Sequence, residues 1–112
     1  MPYSLEKLEE LSGGDQDFIV SVVVVFIEET PEDLGKLEKA VQAGDFEEVY
    51  KHAHKLKPNV DLLGMENSTA LMRRIEAKAK EAIDIEAIRE MFAKAKTEVG
   101  DVIKELETDF GL

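Results

Sequence analysis

Apolar residues recur every three or four positions along almost the whole chain, and this spacing limits its fold more than any other feature. Short polar segments with glycine, aspartate or proline separate the periodic stretches, as is typical of helix ends. The valine run at residues 22–25 also suits a buried strand, because β-branched side chains favour strands. We assign it to a helix, since helical pattern flanks it and the chain offers no second strand to pair with it. The sequence therefore predicts an all-α protein.

Several of the separating segments carry specific start and stop signals. Asp15 and Asp45 are placed to cap helix N-termini, and Gly44 can end the preceding helix in a left-handed conformation. Thr30 followed by Pro31 predicts another helix start, because threonine is a good N-cap and proline fits the first turn. These signals leave only short connections between the helices.

The last two predicted boundaries complete the architecture. Gly64 ends the helix that begins at Asp45, and Asp84 is expected to cap the last helix. Short connections make consecutive helices antiparallel neighbours. We therefore expect an up-and-down four-helix bundle with a short extra N-terminal helix, and a single domain over residues 1–112.

The charge and composition exclude several classes of partner. The formal net charge is −11, from 25 acidic and 14 basic residues, so the surface cannot replace the counterions of nucleic acid. The longest apolar run, residues 22–27, is too short to cross a membrane, and the N-terminus does not resemble a signal peptide. The chain has no cysteine, which fits the cytoplasm. We expect a cytoplasmic monomer whose bundle closes its own core.

One of the two histidines is placed for chemistry. On the helix that follows Asp45, His54 lies roughly 115° from the centre of the apolar stripe, at about 100° per residue. The imidazole should therefore be accessible from solvent. Four residues lie within two turns on the same side of the helix: Tyr50, Lys57, Pro58 and Asp61.

The lysines around His54 favour one kind of chemistry. A neutral imidazole is a nucleophile that can form covalent intermediates. Positive charge from Lys51, Lys55 and Lys57 would favour the neutral form at pH 7, and would then stabilise an attached phosphoryl group. The segment therefore predicts a phosphoryl carrier.

The order Ala53-His54-x-Leu56-Lys57, with Gly64 ten residues after the histidine, resembles the histidine-containing phosphotransfer (HPt) domain. The resemblance extends over the whole chain, because that family also consists of helical bundles of about this size. It implies that His54 accepts a phosphoryl group and relays it between aspartates of receiver domains. It also implies that Lys57 lies near the phosphate and that Gly64 stands at the helix end.

The resemblance further implies the partners. These are receiver domains of response regulators and of hybrid histidine kinases, and we expect them to contact Tyr50, Lys51, Lys55, Pro58 and Asp61. The chain carries no glycine-rich phosphate loop and no nucleotide motif, so we expect no cofactor, no metal site and no kinase activity of its own. The receiver would supply Mg²⁺.

Pro58 departs from the family pattern, which usually has a small residue, often glycine, directly after the motif lysine. A proline inside a helix has no N–H and clashes with the preceding turn. The carbonyl that loses its hydrogen bond is that of His54. We therefore expect a kink or a widened turn here, with this carbonyl open to water.

Two other functions stay open at this stage. A binding or scaffold bundle would leave His54 unphosphorylated, and Pro58 favours that alternative. A di-metal carboxylate enzyme needs Glu-x-x-His pairs on two facing helices, whereas both histidines here lie on one helix. His52 faces roughly 160° away from His54 around the helix, so we expect it to be structural and not a ligand beside His54.

Overall fold

The computed structural model describes residues 3–112, and these residues form five helices joined by short turns. They are α1 (Glu6–Ser12), α2 (Gln16–Ala43), α3 (Phe46–Leu62), α4 (Glu66–Glu81) and α5 (Ile85–Phe110). Each of the long helices packs on the next, and α2 also packs on α5, which closes a four-helix bundle; α1 rests on α2. No strand occurs in this part of the chain. The predicted all-α bundle with an extra N-terminal helix is confirmed.

The core of the bundle comes from the apolar stripes that the sequence shows. Leu37, Leu56, Ile75 and Val99 represent the four long helices in it, and all are fully buried. The valine run lies within α2, where Val23 is buried, Val25 is exposed and the other two are half-buried, as expected for successive positions around a helix. None of the helices in residues 3–112 is both long and apolar enough to cross a membrane.

The predicted helix start at Thr30 is wrong, because α2 runs without interruption through Pro31. Proline removes one helical hydrogen bond, but α2 buries apolar side chains on both sides of it, among them Phe26 and Leu34. Burial of that stripe outweighs the local break signal. Thr30 is itself buried inside the helix and does not cap one.

The other boundaries follow the local signals with one exception. Asp15 and Asp45 accept hydrogen bonds from backbone amides of the turns that they precede, and Gly44 is left-handed at φ 66°, as predicted. Asp84 stands before α5 but its side chain makes no capping hydrogen bond. Its carboxylate lies 2.9 Å from the ammonium of Lys78, so an ion pair to α4 replaces the expected cap.

Residues 3–8, here called the N-terminal clasp, hold one end of the bundle together. The Ser4 amide donates to the Leu63 carbonyl at 2.8 Å, and the Tyr3 hydroxyl donates to the Asp109 carboxylate. Burial and this carboxylate raise the pKa of Tyr3 to about 12. Gly64, with φ of 67°, lies so close to Ser4 that a side chain at Gly64 would collide with it. Through these contacts the clasp connects the end of α3 with the end of α5.

Candidate functional site

His54 projects from the middle of α3 into solvent. Its side chain is 60% exposed, whereas its neighbours Ala53 and Leu56 are fully buried. The buried pair fixes the rotation of α3 against the core and thereby directs His54 outward. The accessibility that helical geometry predicted is present.

A carboxylate from the neighbouring helix contacts both motif side chains. Glu76 on α4 places Oε1 2.9 Å from Nδ1 of His54 and Oε2 2.8 Å from the ammonium of Lys57. The Glu76 side chain is only 12% exposed, and that of Lys57 is 29% exposed. The contact with Lys57 is a charge contact, because its geometry is not that of a good hydrogen bond. The sequence analysis missed Glu76 altogether.

Glu76 determines which ring nitrogen of His54 is available. Burial raises the pKa of Glu76, but the charge of Lys57 together with the hydrogen bond and charge of His54 outweighs it, so the pKa is lowered and the group is a carboxylate. A carboxylate only accepts hydrogen bonds, so Nδ1 must carry the hydrogen that joins the two groups. In the neutral ring Nε2 then holds the lone pair.

The ring of Tyr50 stacks against the imidazole. Tyr50 lies one turn before His54 on α3, and the two rings are stacked with centroids 5.7 Å apart and planes inclined by 12°. Tyr50 is half-buried against the core. The exposed imidazole is therefore held from its face by Tyr50 and from its edge by Glu76.

The lysines do not form the free basic cluster that the sequence analysis expected. Lys55 lies 3.0 Å from Asp33 of α2, whose side chain is 8% exposed, and this hydrogen bond raises the pKa of Lys55. Lys57 contacts Glu76. Of these three lysines, Lys51 alone makes no ion pair within residues 3–112. Two of the three cations are thus already balanced by carboxylates.

The surface beyond His54 along α3 is partly apolar. Pro58 is exposed there, and Asp61 forms an ion pair with Lys7 of α1 at 2.7 Å. A groove of 280 Å³ runs between α2 and α3, and its lining is mostly apolar. Its lining includes Val22 and Val25 from α2 and Asn59 and Leu62 from α3.

His52 stands apart from this site. Its Nε2 lies 3.2 Å from Glu48 one turn earlier on α3, and its side chain is 17% exposed. Residues 3–112 contain no group of three or more histidine, aspartate or glutamate side chains arranged to hold a metal ion.

The fold and the site together define a class of protein, in which a four-helix bundle presents an accessible histidine backed by a carboxylate. The family model of the Hpt domain matches residues 21–109, a span that includes His54. The chain belongs to the Hpt domain family, whose members act in phosphotransfer in two-component signalling and interact with receiver domains. Comparison with curated proteins and with solved structures found no match.

Replacing Glu76 by glutamine should lower stability in a pH-dependent way. The pKa of Glu76 is lower in the folded chain than its ordinary value of 4.5. The ion pair of Glu76 therefore stabilises the folded chain fully at pH values above the ordinary pKa. This stabilisation is lost as the pH falls through the pKa of Glu76 in the folded chain. We expect Glu76→Gln to cost about 1 kcal/mol at pH 7 and close to nothing in strong acid. Urea unfolding of the wild type and Glu76→Gln from strong acid to pH 7 measures the difference in the free energy of unfolding. A difference that does not change with pH would contradict the lowered pKa of Glu76.

Replacing Pro58 by alanine should stabilise the chain. Helix α3 continues through Pro58, whose missing N–H leaves the carbonyl of His54 without its helical partner; the bend at this position stays a prediction. Alanine restores that hydrogen bond and has the best helix propensity, so we expect a gain of about 1–3 kcal/mol in the free energy of unfolding. Chemical denaturation measures it. Pro31→Ala in α2 should change stability in the same direction, and a loss in both variants would show the reasoning wrong.

Proposed function

We propose that this chain carries a phosphoryl group on His54 and relays it between aspartates of receiver domains. One observation carries the proposal: Nδ1 of the exposed imidazole is bound to Glu76, which leaves Nε2 as the nucleophilic nitrogen. Histidine held by a carboxylate in this way is a common arrangement for nucleophilic and acid–base work.

In the transfer step one bond to phosphorus forms and one breaks. The lone pair on Nε2 of His54 attacks the phosphorus of an aspartyl phosphate, the N–P bond forms, and the P–O bond to the aspartate breaks. The aspartate leaves as a carboxylate with the bonding electron pair. The proton on Nδ1 stays in its hydrogen bond to Glu76, so the product is a phosphoimidazolium cation beside a carboxylate. Transfer to the next receiver is the reverse reaction.

Lys57 is the proposed phosphate-stabilising residue. It lies one turn after His54, and its ammonium already meets the carboxylate that holds the ring. A phosphoryl group on His54 adds negative charge next to this ammonium. We expect Lys57 to share its contact between Glu76 and the phosphoryl oxygens, which are strong hydrogen-bond acceptors.

Receiver domains are the proposed partners, and the surface along α3 is their proposed binding site. It includes Tyr50, Lys51, Lys55, Pro58 and Asp61. The apolar groove beside them supplies area whose burial favours association, with exposed Val25 on its α2 wall.

We further propose that residues 1–112 form one cytoplasmic, monomeric carrier without kinase activity or a cofactor of its own. The lack of cysteine and of any nucleotide-binding motif supports this assignment. The phosphoryl group, and the Mg²⁺ needed for aspartyl phosphate chemistry, would come with the receiver.

Incubation with a panel of phosphorylated receiver domains tests the proposed function. We expect at least one receiver to pass its phosphate to the chain, as a modification that is labile to acid and stable to base. Transfer in the reverse direction, from the isolated phosphoprotein to an unphosphorylated receiver, should follow. A chain that takes up no phosphate, yet binds receivers or other proteins, would instead be a scaffold bundle.

A further inference from the structure

We infer that Tyr50 is a positioning residue for phosphotransfer, because its stacked ring holds the plane of His54 in the orientation that presents Nε2 to the incoming phosphoryl group. This inference rests on the proposed function and adds a specific role to a residue otherwise expected only at the partner surface.

The two rings differ in how they are held. Tyr50 is half-buried and packs against the core, whereas the side chain of His54 is 60% exposed. An exposed histidine without neighbours would sample several rotamers of both side-chain torsions. The anchored phenol ring therefore restrains the mobile imidazole, and not the reverse.

The contacts with Tyr50 and Glu76 act in perpendicular directions. The hydrogen bond from Nδ1 to Glu76 lies along the edge of the imidazole and fixes which nitrogen points outward. The stack, with planes inclined by 12°, fixes the tilt of the ring about that hydrogen bond. Neither contact alone defines the direction of the Nε2 lone pair, and the two together do. Transfer to phosphorus requires the nucleophile in line with the leaving oxygen, so a fixed direction lowers the entropic cost of reaction.

The stack also suits the product of the reaction. Phosphorylation at Nε2 with a proton kept on Nδ1 makes the imidazole ring a cation. The ring centroids are 5.7 Å apart, within the roughly 6 Å over which an aromatic face attracts a cation. Tyr50 therefore favours the phosphoimidazolium, from which the ring departs as a neutral leaving group when the phosphoryl group moves on.

Kinetics of three variants test this role. Tyr50→Phe keeps a ring of the same size on His54, and Tyr50→Leu removes the stack. Phe46→Leu is the matched control, since Phe46 also lies on α3 and is also partly buried, one turn further from His54. The measured quantities are the maximal rate of phosphoryl uptake at saturating phosphorylated receiver and the receiver concentration that gives half of it.

We expect Tyr50→Leu to lower the maximal rate roughly fivefold, the scale of one aromatic pair. The half-saturating concentration should change by a smaller factor, since Tyr50 also lies on the proposed receiver-binding surface. Tyr50→Phe and Phe46→Leu should stay within about twofold of the wild type on the same scale. If Tyr50→Leu instead raises the half-saturating concentration and leaves the maximal rate intact, Tyr50 acts only as a receiver contact and the positioning role is wrong. The same holds if Phe46→Leu slows transfer equally.

A measurement on the unphosphorylated chain separates failure of this inference from failure of the proposed function. NMR relaxation of the His54 ring should show a restrained imidazole in the wild type and Tyr50→Phe, and faster ring motion in Tyr50→Leu. A wild type that takes up no phosphate but shows this pattern would remove the proposed function and keep the ring restraint. Equal ring motion in all three proteins, with normal phosphoryl uptake, would overturn the positioning role alone.

Discussion

His54→Gln is expected to abolish phosphoryl uptake, with a loss of more than about a thousandfold in rate. Glutamine is close to histidine in length and its amide can still donate to Glu76, so the local packing has little reason to change. It has no lone pair of comparable nucleophilicity at the place of Nε2. Uptake from a phosphorylated receiver, followed over time by phosphate-affinity electrophoresis, measures the loss.

His52→Gln is the matched control for this variant. His52 lies on the same helix two residues away and is the only other histidine in the chain. It is paired with Glu48 and stands apart from Glu76. Uptake in His52→Gln should equal that of the wild type. Retained uptake in His54→Gln, or an equal loss in both variants, would remove His54 as the acceptor.

Gly64→Ala is expected to lower the free energy of unfolding by about 2–4 kcal/mol, from two additive causes. The backbone of Gly64 is left-handed, with φ of 67°, and any residue with a Cβ is strained there. In addition, the new Cβ would lie 2.6 Å from Cβ of Ser4 and 2.8 Å from its carbonyl oxygen. The N-terminal clasp would have to move away from the end of α3, and its hydrogen bond to Leu63 would be lost or lengthened.

Gly44→Ala separates the two causes. Gly44 has nearly the same φ, 66°, but nothing lies within 4 Å of a Cβ added there. Its substitution should therefore cost only the backbone strain, about 1 kcal/mol. Urea unfolding of the three proteins gives both numbers. Equal costs for the two glycines would show that the approach of Ser4 contributes nothing to stability.

Local sequence signals predicted most of the helices because period and capping are properties of short segments. Asp15, Gly44 and Asp45 act where their side chains or backbone conformations indicated. The helix start predicted at Thr30 and Pro31 is wrong for a physical reason. A proline signal is local, whereas the burial that overrides it depends on the whole of α2. The capping hydrogen bond predicted for Asp84 is absent because its carboxylate pairs with Lys78 instead.

The candidate site was predictable only in its local part. Helical geometry was enough to place His54 on an accessible face. Glu76 lies 22 residues further along, and Lys55 is likewise 22 residues from Asp33, so both contacts depend on how neighbouring helices align. A carboxylate on the flank of the α4 stripe is a visible signal, but the sequence does not give its register against α3. Reasoning from spacing therefore found the cations around His54 and missed the anions that balance two of them.

NMR of the phosphorylated chain with ¹⁵N-labelled histidine tests the phosphotransfer assignment most directly, because it reports the atom that carries the phosphorus. We predict a phosphorus–nitrogen coupling at Nε2 of His54, with Nδ1 still protonated and hydrogen-bonded to Glu76. Phosphate on Nδ1 of His54, on His52 or on a carboxylate of this chain would contradict the account, as would a chain that no phosphorylated receiver can label.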